Sequence, residues 1–142
     1  MVIYTTSPES HGAGQRWKAQ LNENAKSPAY ATPFPELNHN DIVGWELPEA
    51  LRRAFVLVLL RSADEHPRVA ARVAITRELL DGQFAAVQEV RARGETPLAR
   101  TLSLVQYGDY LSCYLAELRG RDPLPVKRID VLKSHLQKGP EE

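Results

Sequence analysis

A single cysteine, Cys113, in 142 residues excludes an intrachain disulfide and any metal site built on several thiolates. Long hydrophobic runs are missing as well: the longest, Ala54 to Leu60, falls far short of the roughly 20 residues that span a membrane. No basic segment leads into an apolar stretch at the N-terminus, so nothing there reads as a secretory signal, and the cytoplasm is the default compartment. Neither sign of charge is in excess, with 18 Lys and Arg against 18 Asp and Glu. That balance argues against a general nucleic-acid binder while leaving room for a local anion site. The phosphate loop of ATPases, GxGxxG, GxSxG and the helical HExxH arrangement are all absent, so those ATPase, redox, hydrolase and zinc chemistries have no support.

What is present suits one globular domain. The length allows one real core, and 43% of the residues are hydrophobic. Val2–Thr5 is short and β-rich. A small glycine turn, His11-Gly12-Ala13-Gly14, precedes a helix over Gln15–Lys26, in which Trp17, Leu21 and Ala25 share a face. Residues 27–48 hold Pro28, Pro33, Pro35 and Pro48 and read as an irregular connection, with a fourth strand available at Ala29–Thr32. Such a long irregular stretch is uncommon without a function.

AFVLVLL, 54–60, is apolar without alternation, the mark of a central parallel strand covered on both faces. Pro67 opens a helix to about Leu80, buried through Val69, Val73 and Leu80, and Ala85–Val90 is a further strand. Thr96-Pro97 caps and starts a helix that runs to about Leu118, buried through Leu98, Leu102, Val105 and Leu115. A short helix, Ile129–Leu136, precedes a polar tail at 137–142. Strands alternating with helices predict an α/β fold, a mostly parallel sheet flanked by helices.

Three places hold candidate chemistry. Glu23, between two asparagines, is a candidate carboxylate base if burial lifts its pKa, and Trp17 is placed to shield it. In PELNHND, 35–41, the proline-flanked setting favours His39 for acid–base work, with Asn38, Asn40 or Asp41 to fix its ring. Metal binding by Glu36, His39 and Asp41 lacks a second nearby histidine, and no metal or other cofactor is expected. In the tail, Lys127, Arg128 and Lys133 are cations suited to an oxygen anion. Gly12 and Gly14 offer backbone for an anion, although a plain turn is the simpler reading. Tyr107, Tyr110 and Tyr114 form a stripe that is either core or the lining of an interface.

RWKAQLNENAK, FPELNHNDIVGW and YGDYLSCYLAELRGRDPLPVKRIDVLK resemble the C-terminal region of the bifunctional phosphoglucose/phosphomannose isomerases, over residues 2 to about 136. Those enzymes contain two sugar-isomerase (SIS) domains. The resemblance implies that residues 1–142 form one SIS-type three-layer sandwich, the second half of a longer protein with an N-terminal SIS domain. It implies conversion of glucose 6-phosphate or mannose 6-phosphate to fructose 6-phosphate through a cis-enediol, without metal. It puts the catalytic glutamate on Glu23, the ring-opening histidine on His39 and the catalytic lysine on Lys133, with Lys127 a nearby rival. It further implies a homodimer in which the histidine reaches the neighbour's site. The family's Ser/Thr-rich phosphate loop and active-site arginine belong to the first domain and have no counterpart here. The isolated chain is therefore expected to show little or no isomerase activity.

Overall fold

The computed structural model describes residues 1–138. Four strands form a wholly parallel sheet: β1 (Val2–Thr5), β2 (Tyr30–Pro33), β3 (Val56–Arg61) and β4 (Ala86–Arg91), in the order β2-β1-β3-β4. The fourth strand is the one placed at 29–32, shifted by one residue. AFVLVLL becomes β3, a central strand beside β1. Five helices follow in chain order: α1 (Pro8–Glu23), α2 (Glu49–Arg52), α3 (Pro67–Leu79), α4 (Pro97–Leu118) and α5 (Lys127–Lys138). Of the polar tail at 137–142, the first two residues end α5, and 139–142 lie outside the described residues.

Side chains alternate across the strands, as the pleat requires. Ile3, Val58 and Leu60 point to one face and join Trp17, Leu21 and Leu104 of α1 and α4. Val2, Tyr4, Leu57 and Leu59 point to the other, against Val73 of α3 and Phe34 and Leu37 of the segment after β2. The sheet thus lies between an α1–α4 layer and an α3 layer. Each strand feeds a return path from its C-terminal end, so α1 and α4 run the same way, back toward the strands' N-terminal ends.

The segment after β2 is irregular apart from two short 3-10 turns, Glu36–Asn38 and Val43–Trp45. It is pinned from below. Trp45 packs on Phe55 and Phe84 and donates its indole N–H to the Tyr4 hydroxyl at 2.8 Å. Burial pushes the Tyr4 phenol up to about 12, against the opposing effect of that hydrogen bond. Tyr4 stays a neutral anchor in the core at any ordinary pH.

Two helix readings need correction. His11–Gly14 is no turn: α1 starts at Pro8, with Ser7 as N-cap and Ser10 completing a capping box. Gly14 serves close packing instead, since a Cβ there would meet Thr5 Cγ2 at 2.6 Å. The buried face of α4 is also displaced. Leu98 and Leu102 are exposed, Val105 and Leu115 are partly buried, and Arg100, Leu104, Gly108, Ser112 and Ala116 turn inward. The cause is Trp17. Its ring needs a gap in α4, and a Cβ at Gly108 would come within 2.3 Å of Trp17 Cδ1.

Candidate active site

Glu23 is the last residue of α1, and its position is set by how α1 docks on α4. Trp17 donates its indole N–H to the Leu104 carbonyl at 2.6 Å. Arg16 grips Asp109 with two hydrogen bonds of 2.9 Å. Asn24 donates to Ser112 Oγ at 2.9 Å. The Arg16 guanidinium, followed by the Gln20 amide, holds the Asp109 carboxyl below its usual range despite some desolvation. These contacts fix α1 in rotation and register. Trp17 is therefore spent on the helix interface and does not shield Glu23.

Glu23 opens into a cleft of about 1020 Å³ between the end of α1 and the turn joining α4 to α5. Lys26, Arg119, Arg121, Lys127 and Arg128 line the same cleft, against Glu23 and Asp122 as its acids. Lys26 fastens the two walls. It adopts a left-handed backbone, φ 51°, and its ammonium donates to the Glu23 carbonyl at 2.6 Å and the Pro123 carbonyl at 3.2 Å. Glu23 itself is exposed, whereas a buried base was the expectation. The cations of such a cleft can hold an anionic ligand, and the carboxylate can move a proton at the ligand's neutral end.

Of the other candidates, Lys127 shares this cleft and Lys133 lies a turn and a half further along α5, exposed and outside the lining. His39 is exposed and closes the first 3-10 turn, its backbone N–H on the Glu36 carbonyl at 2.9 Å. Its neighbours do not hold its ring. Asn38 donates to Thr76 and accepts from Arg72, while Asn40 donates to Glu36. More decisively, His39 follows β2 onto the α3 face, whereas Glu23 ends a helix on the α1–α4 face. The sheet separates them within one chain. Gly12 and Gly14 sit inside α1, so their backbone is not free for an anion. Among the described residues, no group of three or more His, Cys, Asp or Glu side chains could hold a metal. No helix among them is long and apolar enough to cross a membrane.

Open α/β sheets ordinarily bind ligands at the C-terminal ends of the strands where the order reverses, here between β1 and β3. That place is filled from within. Ser10 Oγ accepts from the Thr6 and Ser7 amides at 2.9 Å each, and Ser7 Oγ from the Ser10 amide at 3.2 Å. The Thr6 hydroxyl donates to Glu65 at 2.5 Å. Arg61, 9% exposed at the end of β3, bonds Glu65 through Nε and Nη2 and reaches Glu89 at 3.1 Å. Burial opposes ionisation of Glu65, but the Arg61 and Thr6 hydrogen bonds outweigh it and hold the carboxyl below its usual range. Glu9 in the first turn of α1 adds negative charge where an anion would sit. The only sequence trace of this network is an arginine ending an apolar strand with a glutamate four residues on.

Residues 1–136 match the family model described as the bacterial phospho-glucose isomerase C-terminal SIS domain. A bifunctional phosphoglucose/phosphomannose isomerase of Caldicellulosiruptor bescii is 45% identical over 135 residues, 95% of this chain and 40% of that protein. One from Aquifex aeolicus is 45% identical over 137 residues, 96% of this chain and 42% of that protein. A solved structure, a glucose-6-phosphate isomerase like protein from Thermus thermophilus, superposes with a TM-score of 0.67 at 25% identity, covering 86% of this chain and 40% of that one. The chain thus spans about two fifths of the length of the relatives it matches.

Proposed function

The chain belongs to the bacterial phospho-glucose isomerase C-terminal SIS domain family, and on that premise we propose that it supplies the proton-transfer half of an aldose–ketose isomerase. The substrates are glucose 6-phosphate and mannose 6-phosphate, interconverted with fructose 6-phosphate through a cis-enediol. Glu23 takes the proton from C2 and returns it to C1, and the reverse. The observation that carries this reading is the Glu23 cleft, whose lining also holds Lys26, Arg119, Arg121, Lys127 and Arg128. Those cations stabilise the enediolate oxygens as charge develops. Lys133 acts with His39 in opening the sugar ring, and Lys127, already in the cleft, is the rival for the lysine's role.

His39 acts from a second chain, because the sheet bars it from the Glu23 of its own. The main phosphate grip lies in the part of the longer relatives that this chain does not span. The filled C-terminal rim supports that division, since its amides and hydroxyls are committed to Ser7, Ser10 and Glu65. Without remote binding energy from the phosphate, the reacting carbons are not held near Glu23. The chain alone is accordingly expected to be nearly inactive.

The exposure of Glu23 also favours a second reading, a non-catalytic sugar-phosphate-binding or assembly module. Glu23→Gln in the full-length protein separates the two. Loss of turnover with both hexose 6-phosphates, with substrate binding retained, supports the enzyme. Unchanged turnover ends the assignment of Glu23 as base, and absence of turnover in the unaltered full-length protein ends the enzyme reading.

A further inference from the structure

The two edges of the sheet end differently. β2 is four residues long and blunted: Pro33 has no amide to offer, and the Gln15 side chain donates to the Ala31 carbonyl at 3.3 Å. β4, the other edge, runs for six residues. The Ala92 amide donates to the Arg61 carbonyl of β3 at 2.8 Å, so by the alternation of a strand the amides and carbonyls of Val87, Glu89 and Arg91 point outward. No hydrogen bond reaches those outward amides from the described residues. Beside this edge lies a cavity of about 780 Å³, walled by Val90 and by Tyr107, Tyr110 and Tyr114, which share one side of α4 at spacings of three and four. Glu89 and Arg91 rim it, with their side chains turned to the α3 face, where Glu89 pairs with Arg61, Arg77 and Arg91. On that face the three guanidiniums share only Glu65 and Glu89, which leaves a positive excess. Glu78 and Asp81 lie near Val87, toward the other end of the strand.

We propose that β4 is an open docking edge, on which an extended segment of another protein adds as a fifth strand, with an acidic side chain beside Arg91 and apolar side chains in the tyrosine-lined cavity. Main-chain hydrogen bonds to Val87, Glu89 and Arg91 supply the affinity, and the alternation of side chains supplies the selectivity. Successive side chains of the added strand fall on opposite faces of the sheet. One set meets the tyrosines, and the other meets the arginines. A carboxylate there completes the pairing that Glu89 alone divides among three cations, and a lysine there sets like charges side by side. The edge uses neither Glu23 nor His39, so the proposal stands apart from the isomerase reading.

Amide hydrogen exchange, read residue by residue by NMR on the chain and on the full-length protein, tests it. The probe is a seven-residue peptide, blocked at both ends, with leucine at its odd positions, glutamate at its centre and threonine at the other two. With a dissociation constant of about 100 µM, the probe at about 1 mM should slow exchange at Val87, Glu89 and Arg91 about tenfold. Lysine in place of the central glutamate, or Arg91→Glu in the chain, should weaken binding about fivefold. No slowing at these three amides overturns the proposal, and so does equal binding of the lysine probe. Protection that rises with chain concentration in the absence of the probe would give the edge to a second copy. Protection already present in the full-length protein would give it to the remainder of that protein. Either result also overturns the proposal.

Discussion

At the strands' C-terminal ends several polar side chains bond one another, while at the N-terminal ends they face an open cleft. Thr6, Ser7, Ser10, Arg61 and Glu65 are linked by hydrogen bonds, and Arg61 extends the network to Glu89. Glu23, Arg121, Lys127 and Arg128 line space. A buried polar group left without its partner costs far more than an exposed one. The matched rim is therefore where substitutions should hurt folding, and the cleft is where they should hurt chemistry and leave folding alone. This reverses the usual placement of ligand sites on open α/β sheets.

The largest effect belongs to the cleft. In the full-length protein, Glu23→Gln should cut turnover by about 10²–10⁴-fold, the usual contribution of a general base. Its melting temperature should stay within a degree, since Glu23 is exposed and ends its helix. A large loss of melting temperature would assign Glu23 to structure instead. Arg61→Met is the converse test. It strands the Glu65 carboxylate, whose side chain is only 6% exposed. Breaking a buried pair from one side costs about 3 kcal/mol or more, roughly 10 °C in a domain of this size. Thermal denaturation decides it, and a neutral outcome would mean that the rim is less closed than its hydrogen bonds imply.

The α1–α4 seam links fold to chemistry, and there Gly108→Ala forces a methyl into the Trp17 ring. Overpacking of this kind costs about 1–3 kcal/mol. Because the seam orients α1, the same change should shift Glu23 and lower turnover as well. A pH titration gives a smaller, graded comparison. The folded-state pKa values of Glu65 and Asp109 lie below their ordinary ones. Their stabilisation is then complete above the ordinary carboxylate range near pH 4. It is lost as the pH falls below that range through the folded-state values, where the native state must take up protons it resists. Glu65→Gln should flatten that part of the acid-unfolding curve measured by circular dichroism, and an unchanged curve would break the link between the rim and acid stability.

The centre of the sheet is legible because β1 and β3 are short runs of buried, mostly apolar residues, and α4 announces itself through Thr96 and Pro97. What the sequence hid were interfaces made of small residues. Gly14 reads as part of a turn and Gly108 carries no signal of its own, yet each is the absence that lets a neighbour come close. Leucine spacing points to Leu98 and Leu102 as the buried side of α4, whereas Trp17 selects the face with Gly108, Ser112 and Ala116. For the site, the family's blocks named Glu23 and His39, but no spacing along a chain reveals that a sheet stands between them. Lys26 went unnoticed for a similar reason, since its partners lie 3 and 97 residues away.

Lys26 gives the smallest effect and the sharpest test of how the cleft is held. Its left-handed backbone is unfavourable for any residue with a Cβ, by roughly 1 kcal/mol, and the structure keeps it there while its ammonium ties Glu23 to Pro123. Two substitutions separate these terms. Lys26→Ala removes the tie and keeps the strain, so stability should fall by a few tenths of a kcal/mol, as befits exposed hydrogen bonds. Lys26→Gly removes both, and should be more stable than Lys26→Ala by about 1 kcal/mol. If the tie matters for chemistry, both variants should raise KM in the full-length protein by the same factor, because both free the α4–α5 turn from the end of α1. Equal stabilities for the two would show that position 26 relaxes out of the left-handed region once its ammonium is gone. A KM change in Lys26→Ala alone would tie the effect to strain and leave the cleft without its clasp.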